Sequence, residues 1–146
     1  MSLVIVILAV LIGLGSSAAS RGSLTLLPAN TSQAFRMVTI EEARNQYLTG
    51  QSVFLDSRSL QEYSEGHIPG AVDLSIASRN ARLGELVRTI PKSSNLILYC
   101  NGGTCQGAGA LASWLLEKGW YRVAVFQGGL SKWIEAGYEV RYGETP

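Results

Sequence analysis

The chain has 146 residues, of which 47% are apolar and 16% are charged, and its formal net charge is +1. This length and composition predict one globular domain and exclude both a disordered chain and a miniature fold held by many disulfides. A net charge near zero with scattered basic residues gives no basic surface of the kind that binds nucleic acid, so we expect no nucleic-acid partner. Two cysteines and one histidine are too few for a structural zinc site, and we expect neither a metal nor a cofactor.

The first element is an apolar segment at the N-terminus. Residues 3–14 form an apolar run of 12 residues, which small residues follow up to Ser20. This run matches the apolar region of a signal peptide, whereas a spanning helix needs about 20 apolar residues. The absence of Lys and Arg before the run argues against cleavage and for an uncleaved anchor. If residues 16–19 join the helix, such an anchor can span a locally thinned membrane. A third interpretation is a cloning or start-site artefact. We therefore expect residues 1–20 to be a signal peptide or an N-terminal membrane anchor.

This segment sets the expected location and the domain boundaries. The domain is expected to be exported, in the periplasm or another extracytoplasmic space, or to be anchored by its N-terminus with membrane association through residues 3–19. Residues 21–36 contain Gly, Pro, Asn and Ser without a sustained period, which predicts a linker. The folded domain is expected over residues 37–142, followed by a short tail over residues 143–146.

Within the domain, short apolar strands alternate with helices. Thr39 with Glu42, and Ser59 with Glu62, form capping-box patterns that open two helices. The predicted strands are 53–56, 96–99 and 123–126, and a turn at 67–70 leads into residues 71–74. The predicted helices run from Thr39 through Tyr47, from Ser59 to before Gly66, over 79–89, over 108–118, and through Trp133 and Ile134 to Gly137. This alternation predicts an α/β fold with a parallel sheet covered on both faces.

The candidate chemistry is concentrated where the strand 96–99 meets a glycine-containing loop. Cys100 directly follows this strand, and ligands of open α/β sheets bind at that end of the strands. Loop N–H groups and the start of the next helix stabilise a thiolate there and bind an anionic group. The alternative is a small buried cysteine that only ends the strand. The loop residues predicted to bind substrate are Asn101, Gly102, Gly103, Thr104, Cys105 and Gln106.

Four motifs, in this order along the chain, resemble those of a single-domain rhodanese. They are Phe-Leu-Asp-Ser-Arg at 54–58, Gly-His-Ile-Pro-Gly-Ala at 66–71 after Glu62, Tyr-Cys-Asn-Gly-Gly at 99–103, and Gln-Gly-Gly-Leu-Ser-Lys-Trp at 127–133 before Gly137. The resemblance covers residues 37–142. It implies a five-stranded parallel sheet with helices on both faces, and it implies Cys100 as the residue that carries sulfur as a persulfide. Thiosulfate or another sulfane-sulfur compound is the implied donor.

The mechanism that this resemblance implies is nucleophilic. The Cys100 thiolate attacks the outer sulfur of the donor, and a thiol or other thiophilic acceptor then removes the sulfur. Asp56 and Arg58 match a pair beneath the site in the family, where we expect them to pair and to brace the loops. His67 is expected to bond backbone groups of its turn rather than to act in catalysis. Trp133 is expected to be a packed helix residue rather than a wall of the substrate site.

One departure from the family concerns the cation of the loop. Where most active rhodanese loops of this kind have a cationic side chain, usually Arg, this chain has Cys105, and its neighbour Gln106 is neutral. The expected partners are therefore a small sulfur-containing anion or a protein persulfide as donor, with a thiol as acceptor. Cys105 is interpreted as a resolving thiol, as a disulfide partner of Cys100, or as a passive small residue.

Two other classes of function share parts of this pattern. The strand, thiol loop and helix also resemble dual-specificity phosphatases and arsenate reductases, but those enzymes need an Arg that closes the loop, which neither Cys105 nor Gln106 supplies. The second alternative is a non-catalytic or redox-sensing rhodanese-like module in which Cys100 and Cys105 form a disulfide.

Overall fold

The structure, a computed structural model, describes residues 35–103 and 106–146. The described residues form five strands and five helices. No helix in these two ranges is long and apolar enough to cross a membrane. The predicted segment 1–20 lies outside the described residues. The elements in chain order are β1 (Arg36–Val38), α1 (Ile40–Leu48), β2 (Ser52–Asp56), α2 (Leu60–Ser64), β3 (Val72–Asp73), α3 (Arg79–Thr89), β4 (Asn95–Tyr99), α4 (Gln106–Glu117), β5 (Val123–Phe126) and α5 (Gly129–Glu135).

The strands form one sheet in the order β1-β5-β4-β2-β3, and every pairing is parallel. This confirms the expected five-stranded parallel sheet. The central strand β4 pairs with β2 from Asn95 against Ser52 to Tyr99 against Asp56. Because all strands point the same way, their carboxyl ends share one edge of the sheet, where ligands of such folds bind.

Helices cover both faces of the sheet, as the sequence predicts. Successive residues of a strand point to opposite faces, so each strand contributes to two apolar cores. Leu55, Leu98 and Val125 face a core completed by α3 and α4. Phe54, Ile97 and their neighbours face a second core completed by α1, α2 and α5. Burial on both faces explains why β4 and β5 are continuous apolar runs rather than alternating ones.

The two predicted capping boxes lie at the starts of α1 and α2, but only the one at α2 forms completely. Ser59 and Glu62 form both hydrogen bonds of a capping box at α2. At α1, the Thr39 side chain accepts from the Glu42 N–H at 3.4 Å, while the Glu42 carboxylate forms an ion pair with Arg36 at 2.5 Å. The strand β1 was not predicted. It begins at Arg36, which the sequence analysis assigned to the linker.

Candidate functional site

Cys100 is the residue that directly follows β4, and it is half-buried at the carboxyl edge of the sheet. Its position depends on Tyr99, whose carbonyl accepts hydrogen bonds from the Ser57 N–H at 3.0 Å and the Ser57 hydroxyl at 2.8 Å. The Tyr99 hydroxyl accepts from the Ile68 N–H at 3.1 Å. Burial and the nearby Asp56 carboxylate raise the pKa of Tyr99 far above its usual value, so the hydroxyl stays neutral. The end of β4 is thereby fixed from two neighbouring loops.

The loop after Cys100 presents an N–H group to the cysteine sulfur. The Leu130 N–H donates to the Cys100 carbonyl at 2.7 Å, and the Ser131 N–H donates to the Asn101 carbonyl at 2.9 Å. Both carbonyls are thus held by the start of α5. The Gly102 N–H lies 3.3 Å from the Cys100 sulfur and donates to it. A peptide N–H at this distance stabilises negative charge on the sulfur.

This arrangement requires glycine at position 129. Gly129 has a φ of +57°, a backbone conformation that residues with a side chain rarely adopt. A Cβ atom there would lie 2.4 Å from the Cys100 carbonyl oxygen and 2.7 Å from the Gly102 nitrogen. Gly129 therefore allows α5 to approach the loop closely enough to hold its carbonyl groups.

Asp56 and Arg58 form a buried ion pair that reaches the loop. The Arg58 guanidinium donates to the Asp56 carboxylate at 2.5 and 2.9 Å and to the Gly66 carbonyl at 2.6 Å. Its third nitrogen donates to the side-chain oxygen of Asn101 at 3.1 Å. The Asn101 amide then donates to Glu62 at 2.8 Å. This network joins the ends of β2 and α2 to the residue after Cys100.

The charges of this network are stabilised by their hydrogen bonds. Burial works against the Arg58 charge, but the hydrogen bonds and the charge of Asp56 outweigh it and raise the pKa of Arg58. Hydrogen bonds from the Ser59 backbone, from the Ser59 hydroxyl and from Asn101 lower the pKa of Glu62. Both groups are therefore ionised near neutral pH.

The structure places the remaining predicted loop residues in three ways. Gly103 follows Gly102 in the loop, with a φ of +70°. Thr104 and Cys105 lie outside the described residues. Gln106 was predicted in the loop, and this placement was wrong, because Gln106 is the first residue of α4. The helix begins two residues before the predicted position 108, because the glycine at 107 does not interrupt it.

Cys100 is disulfide-bonded in this structure. The chain contains two cysteines in total, and a disulfide sulfur is not a nucleophile. A thiolate at this position therefore requires prior reduction of the bond.

His67 and Trp133 are both fully buried. The His67 ring stacks on Tyr63 with a centroid separation of 3.8 Å, and its Nδ1 atom lies 2.9 Å from the Tyr63 carbonyl oxygen. This is the predicted contact with a backbone group. Trp133 packs edge-on against Tyr47 and Tyr138 and donates from its indole N–H to a backbone carbonyl at 2.8 Å. The prediction that Trp133 is a packed helix residue is confirmed.

A cavity of about 730 Å³ opens beside the loop. We call it the side cavity. Its walls are the loop at 101–103, the segment 38–40 where β1 ends and α1 begins, and residues 126–128 with one side of α5. Lys132 and Glu135 lie at its border and form an ion pair of 2.7 Å. Neither residue was predicted as part of the site, because the cavity forms only where β1, β5 and α5 meet.

Three other residues contact the site without a predicted role, namely Ser57, Leu130 and Ser131. Glu62 was predicted only to cap α2, and it also accepts a hydrogen bond from Asn101. Leu130 and Ser131 act through backbone N–H groups, which carry no side-chain signal. The paired glycines at 128 and 129 were the available signal, because consecutive glycines before a helix indicate a close approach of the backbone.

Residues 39–136 match the family model of the rhodanese-like domain. Among curated proteins, the chain is 31% identical over 85 residues to the tRNA uridine(34) hydroxylase of Wigglesworthia glossinidia brevipalpis, which covers 56% of this chain and 26% of that protein. It is 30% identical over 106 residues to an HTH-type transcriptional regulator of Mycobacterium tuberculosis. That match covers 73% of this chain and 45% of the regulator. The chain thus spans about a quarter of the hydroxylase and less than half of the regulator.

Solved structures share the fold. A protein of Bacillus halodurans superposes with a TM-score of 0.66 at 25% identity, covering 75% of this chain and 78% of that one. A thiosulfate sulfurtransferase of Pseudomonas aeruginosa superposes with a TM-score of 0.61 at 25% identity. The match covers 76% of this chain and 21% of that enzyme. A human single-domain sulfurtransferase superposes with a TM-score of 0.58 at 20% identity, and the match covers 68% of this chain and 95% of that one. At this identity the likeness shows the fold alone.

Proposed function

Since the chain belongs to the rhodanese-like domain family, we propose that it is a sulfurtransferase. It moves sulfane sulfur from thiosulfate, or from a persulfide or polysulfide, to a thiol or other thiophilic acceptor through a persulfide on Cys100. The observation that carries the proposal is the contact of 3.3 Å from the Gly102 N–H to the Cys100 sulfur at the carboxyl edge of the sheet. This contact favours an anionic Cys100 sulfur, which is the nucleophile of the first half-reaction and the leaving group of the second.

The first half-reaction loads the enzyme. The reduced Cys100 thiolate attacks the outer sulfur of the donor, the bond between that sulfur and the rest of the donor breaks, and the leaving group departs with the electron pair. With thiosulfate the leaving group is sulfite. In the second half-reaction an acceptor thiolate attacks the outer sulfur of the persulfide, and the Cys100 thiolate is regenerated. The Gly102 N–H supports the anionic sulfur of Cys100 before loading and after transfer.

The network around Arg58 has a supporting role in this proposal. Arg58 contacts the loop through Asn101, but its charge is paired with the buried Asp56 carboxylate. It therefore braces the loop and does not replace the cation that the sequence lacks at Cys105. This supports a persulfide, a polysulfide or a protein persulfide as the natural donor in preference to free thiosulfate.

A second candidate function is favoured by one observation, the disulfide of Cys100. In a redox-sensing module, Cys100 and a second thiol lose their two hydrogen atoms to an oxidising disulfide or polysulfide and form the bond. The tRNA uridine(34) hydroxylases among the relatives are a reason to test function directly, because their activity differs from sulfur transfer between thiols.

Intact mass distinguishes these functions. The full chain is reduced, freed of reductant and incubated with thiosulfate or with polysulfide. The sulfurtransferase gains the mass of one sulfur atom, and Cys100→Ser does not, whereas Cys105→Ser still does. A loss of the mass of two hydrogen atoms without added sulfur in the parent supports the redox module. Loading that persists in Cys100→Ser would show that the carrier is wrongly assigned.

A further inference from the structure

We propose that the amino edge of the sheet docks on an anionic lipid surface, and that Cys100 then faces the water on the far side of the domain. The amino edge is the side on which the strands begin. It consists of the loops 49–51, 90–94 and 118–122, together with Arg36 and the last residues of α1, α3 and α4. This inference is independent of the proposed sulfurtransferase function, because it concerns the side of the sheet opposite to Cys100.

The parallel sheet brings these segments together. Asn95, the first residue of β4, pairs with Ser52, the first residue of β2. Each crossover helix returns the chain to the amino edge, so α3 and α4 end shortly before β4 and β5 begin. Arg36 and Arg122 line the same recess of about 420 Å³. Side chains that are far apart in the sequence therefore belong to one surface.

The loops of the amino edge are positively charged. They contain Lys92, Lys118 and Arg122 and no Asp or Glu, and Glu117 is the one carboxylate directly next to them in the sequence. Among the described residues, no carboxylate forms an ion pair with any of these three cations. Beside the Cys100 loop, by contrast, the cations are paired, Arg58 with Asp56 and Lys132 with Glu135. The amino edge therefore presents cations that are available to an external anion.

Two of these cations lie close together. The Lys92 ammonium donates to the Lys118 carbonyl at 2.8 Å and lies 3.0 Å from the centre of the Trp120 ring. Burial and the charge of Lys118 lower the pKa of Lys92. Neighbouring like charges repel one another, and an anionic surface relieves this repulsion. The phosphate groups of a lipid layer supply such negative charge across a whole plane.

Exposed apolar side chains belong to the same edge. Tyr121, Leu48 and Val87 are 55%, 66% and 52% exposed. The Arg122 guanidinium lies 5.7 Å from the centre of the Tyr121 ring. Tyrosine is enriched at membrane–water interfaces, because its ring is apolar and its hydroxyl is polar. Cations next to exposed apolar groups fit the headgroup region of a membrane better than they fit a dissolved anion.

The chain enters the domain at this edge, since β1 begins at Arg36. Residues 1–20 are expected to be a signal peptide or an anchor, and a connection over residues 21–35 can extend over at most about 50 Å. An uncleaved anchor and a basic surface are the two signals that together give stable membrane association. The amino edge alone has too few cations for stable association, so its role is to orient an anchored domain.

This orientation keeps Cys100 away from the lipid. β4 has five residues, each of which rises about 3.3 Å, so its two ends are roughly 15 Å apart. Cys100 follows the far end of this strand. Docking through the amino edge therefore leaves the Cys100 loop open to dissolved reactants.

The lysines of the chain provide the test, because there are three and they lie on different sides. Lys92 and Lys118 belong to the amino edge, whereas Lys132 borders the side cavity. The full chain is placed in nanodiscs of phosphatidylcholine, alone or mixed with phosphatidylglycerol, and the acetylation rate of each lysine is measured by mass spectrometry. We expect Lys92 and Lys118 to react about fivefold or more slowly in the anionic discs, while Lys132 keeps its rate. In 1 M NaCl, where the Debye length is about 3 Å, the difference should disappear.

Arg122→Gln tests the charge of the edge without removing a lysine. Arg122 is exposed, and the loss of one cation should lower the docking equilibrium about fivefold. Lys118 should then regain reactivity in the anionic discs. The matched control is Arg141→Gln, which removes an exposed arginine from the segment that pairs with His67. This control should keep the slow acetylation of Lys92 and Lys118.

Several outcomes would overturn the inference. One is that Lys92 and Lys118 react at equal rates in both kinds of disc, or that the chain binds neither kind. Another is that Lys132 slows as much as they do, because no single side of the domain would then meet the lipid. Equal protection in uncharged discs would mean that something else covers the edge, such as a second copy of the chain. Sulfur loading plays no part in this test, so its failure leaves the proposed function standing.

Discussion

The close approach of α5 to the loop after Cys100 can be tested by adding a single methyl group. Gly129→Ala introduces two costs. The left-handed backbone at a φ of +57° costs about 1–2 kcal/mol for a residue with a side chain. The new Cβ would also lie 2.4 Å from the Cys100 carbonyl oxygen, which forces α5 and the loop apart.

The second cost can be estimated from the hydrogen bonds that this separation breaks. The Leu130 N–H bond to Cys100 and the Ser131 N–H bond to Asn101 contribute about 0.5–1.5 kcal/mol each. We therefore expect Gly129→Ala to lower the free energy of unfolding by about 2–5 kcal/mol in total. Because the loop carbonyls lose their donors, sulfur loading of Cys100 should also become slower.

Gly137→Ala is the matched control. Gly137 has a similar φ of +74°, and nothing lies within 4 Å of a Cβ built on it. This variant should lose only the backbone cost of about 1–2 kcal/mol. Both variants are measured in the reduced state, by urea denaturation and by the rate of sulfur loading. Equal losses of stability in the two variants, with equal loading rates, would refute the close approach as the reason for glycine at 129.

Three further outcomes are expected. Arg58→Met leaves the buried Asp56 carboxylate without its partner and should lower the free energy of unfolding by about 3–5 kcal/mol in urea denaturation; an effect below 1 kcal/mol would show that water replaces the guanidinium. Because folding lowers the pKa of Glu62 from 4.5, its stabilisation is present above that pH and is lost as the pH falls below it. Glu62→Gln should therefore have a free energy of unfolding about 0.5–1.5 kcal/mol below that of the parent at pH 7, measured by urea denaturation. A difference between the two proteins that is as large at pH 3 as at pH 7 would contradict this. Removal of residues 1–20 should leave a soluble protein with a cooperative melt and abolish membrane association or export in cells; aggregation of the truncated protein alone would place the segment in the fold.

Local signals explain which elements the sequence predicts correctly. α3 begins and ends at the predicted residues Arg79 and Thr89, and the capping box at Ser59 forms both of its hydrogen bonds. The strand β1 carries no such signal, because two of its three residues are exposed. It is held by parallel pairing with β5, which lies more than eighty residues later in the chain. A partner at that distance cannot be identified from the composition of three residues.

The same distinction applies to the site. The position of Cys100 follows from a strand and a glycine loop that are adjacent in sequence. The groups that shape the loop are distant backbone atoms of Leu130 and Ser131, and the side cavity exists only because three elements converge beside it. Chain topology therefore supplies what residue types do not show, namely which backbone groups hold the loop and which residues surround it.

The adjacent glycines 128 and 129 have different roles, and the difference can be tested. Gly129 lets α5 approach the loop after Cys100, whereas Gly128 leaves room for the Lys132 side chain. Gly128 has an ordinary φ of −75°, so Gly128→Ala brings no backbone strain of the kind expected at Gly129. Its new Cβ would instead lie 2.5 Å from the first stem atoms of Lys132, which must then move from the cavity wall. We expect this variant to lower the free energy of unfolding by about 1–3 kcal/mol, as an added group in a packed region does, while the Cys100 and Asn101 carbonyls keep their donors from α5. The measurements are urea denaturation and the rate of sulfur loading in the reduced state. The control is Gly84→Ala, because Gly84 has no positive φ and nothing lies within 4 Å of a Cβ built on it. A loading rate that falls as far as that of Gly129→Ala would mean that the two glycines do not have separate roles.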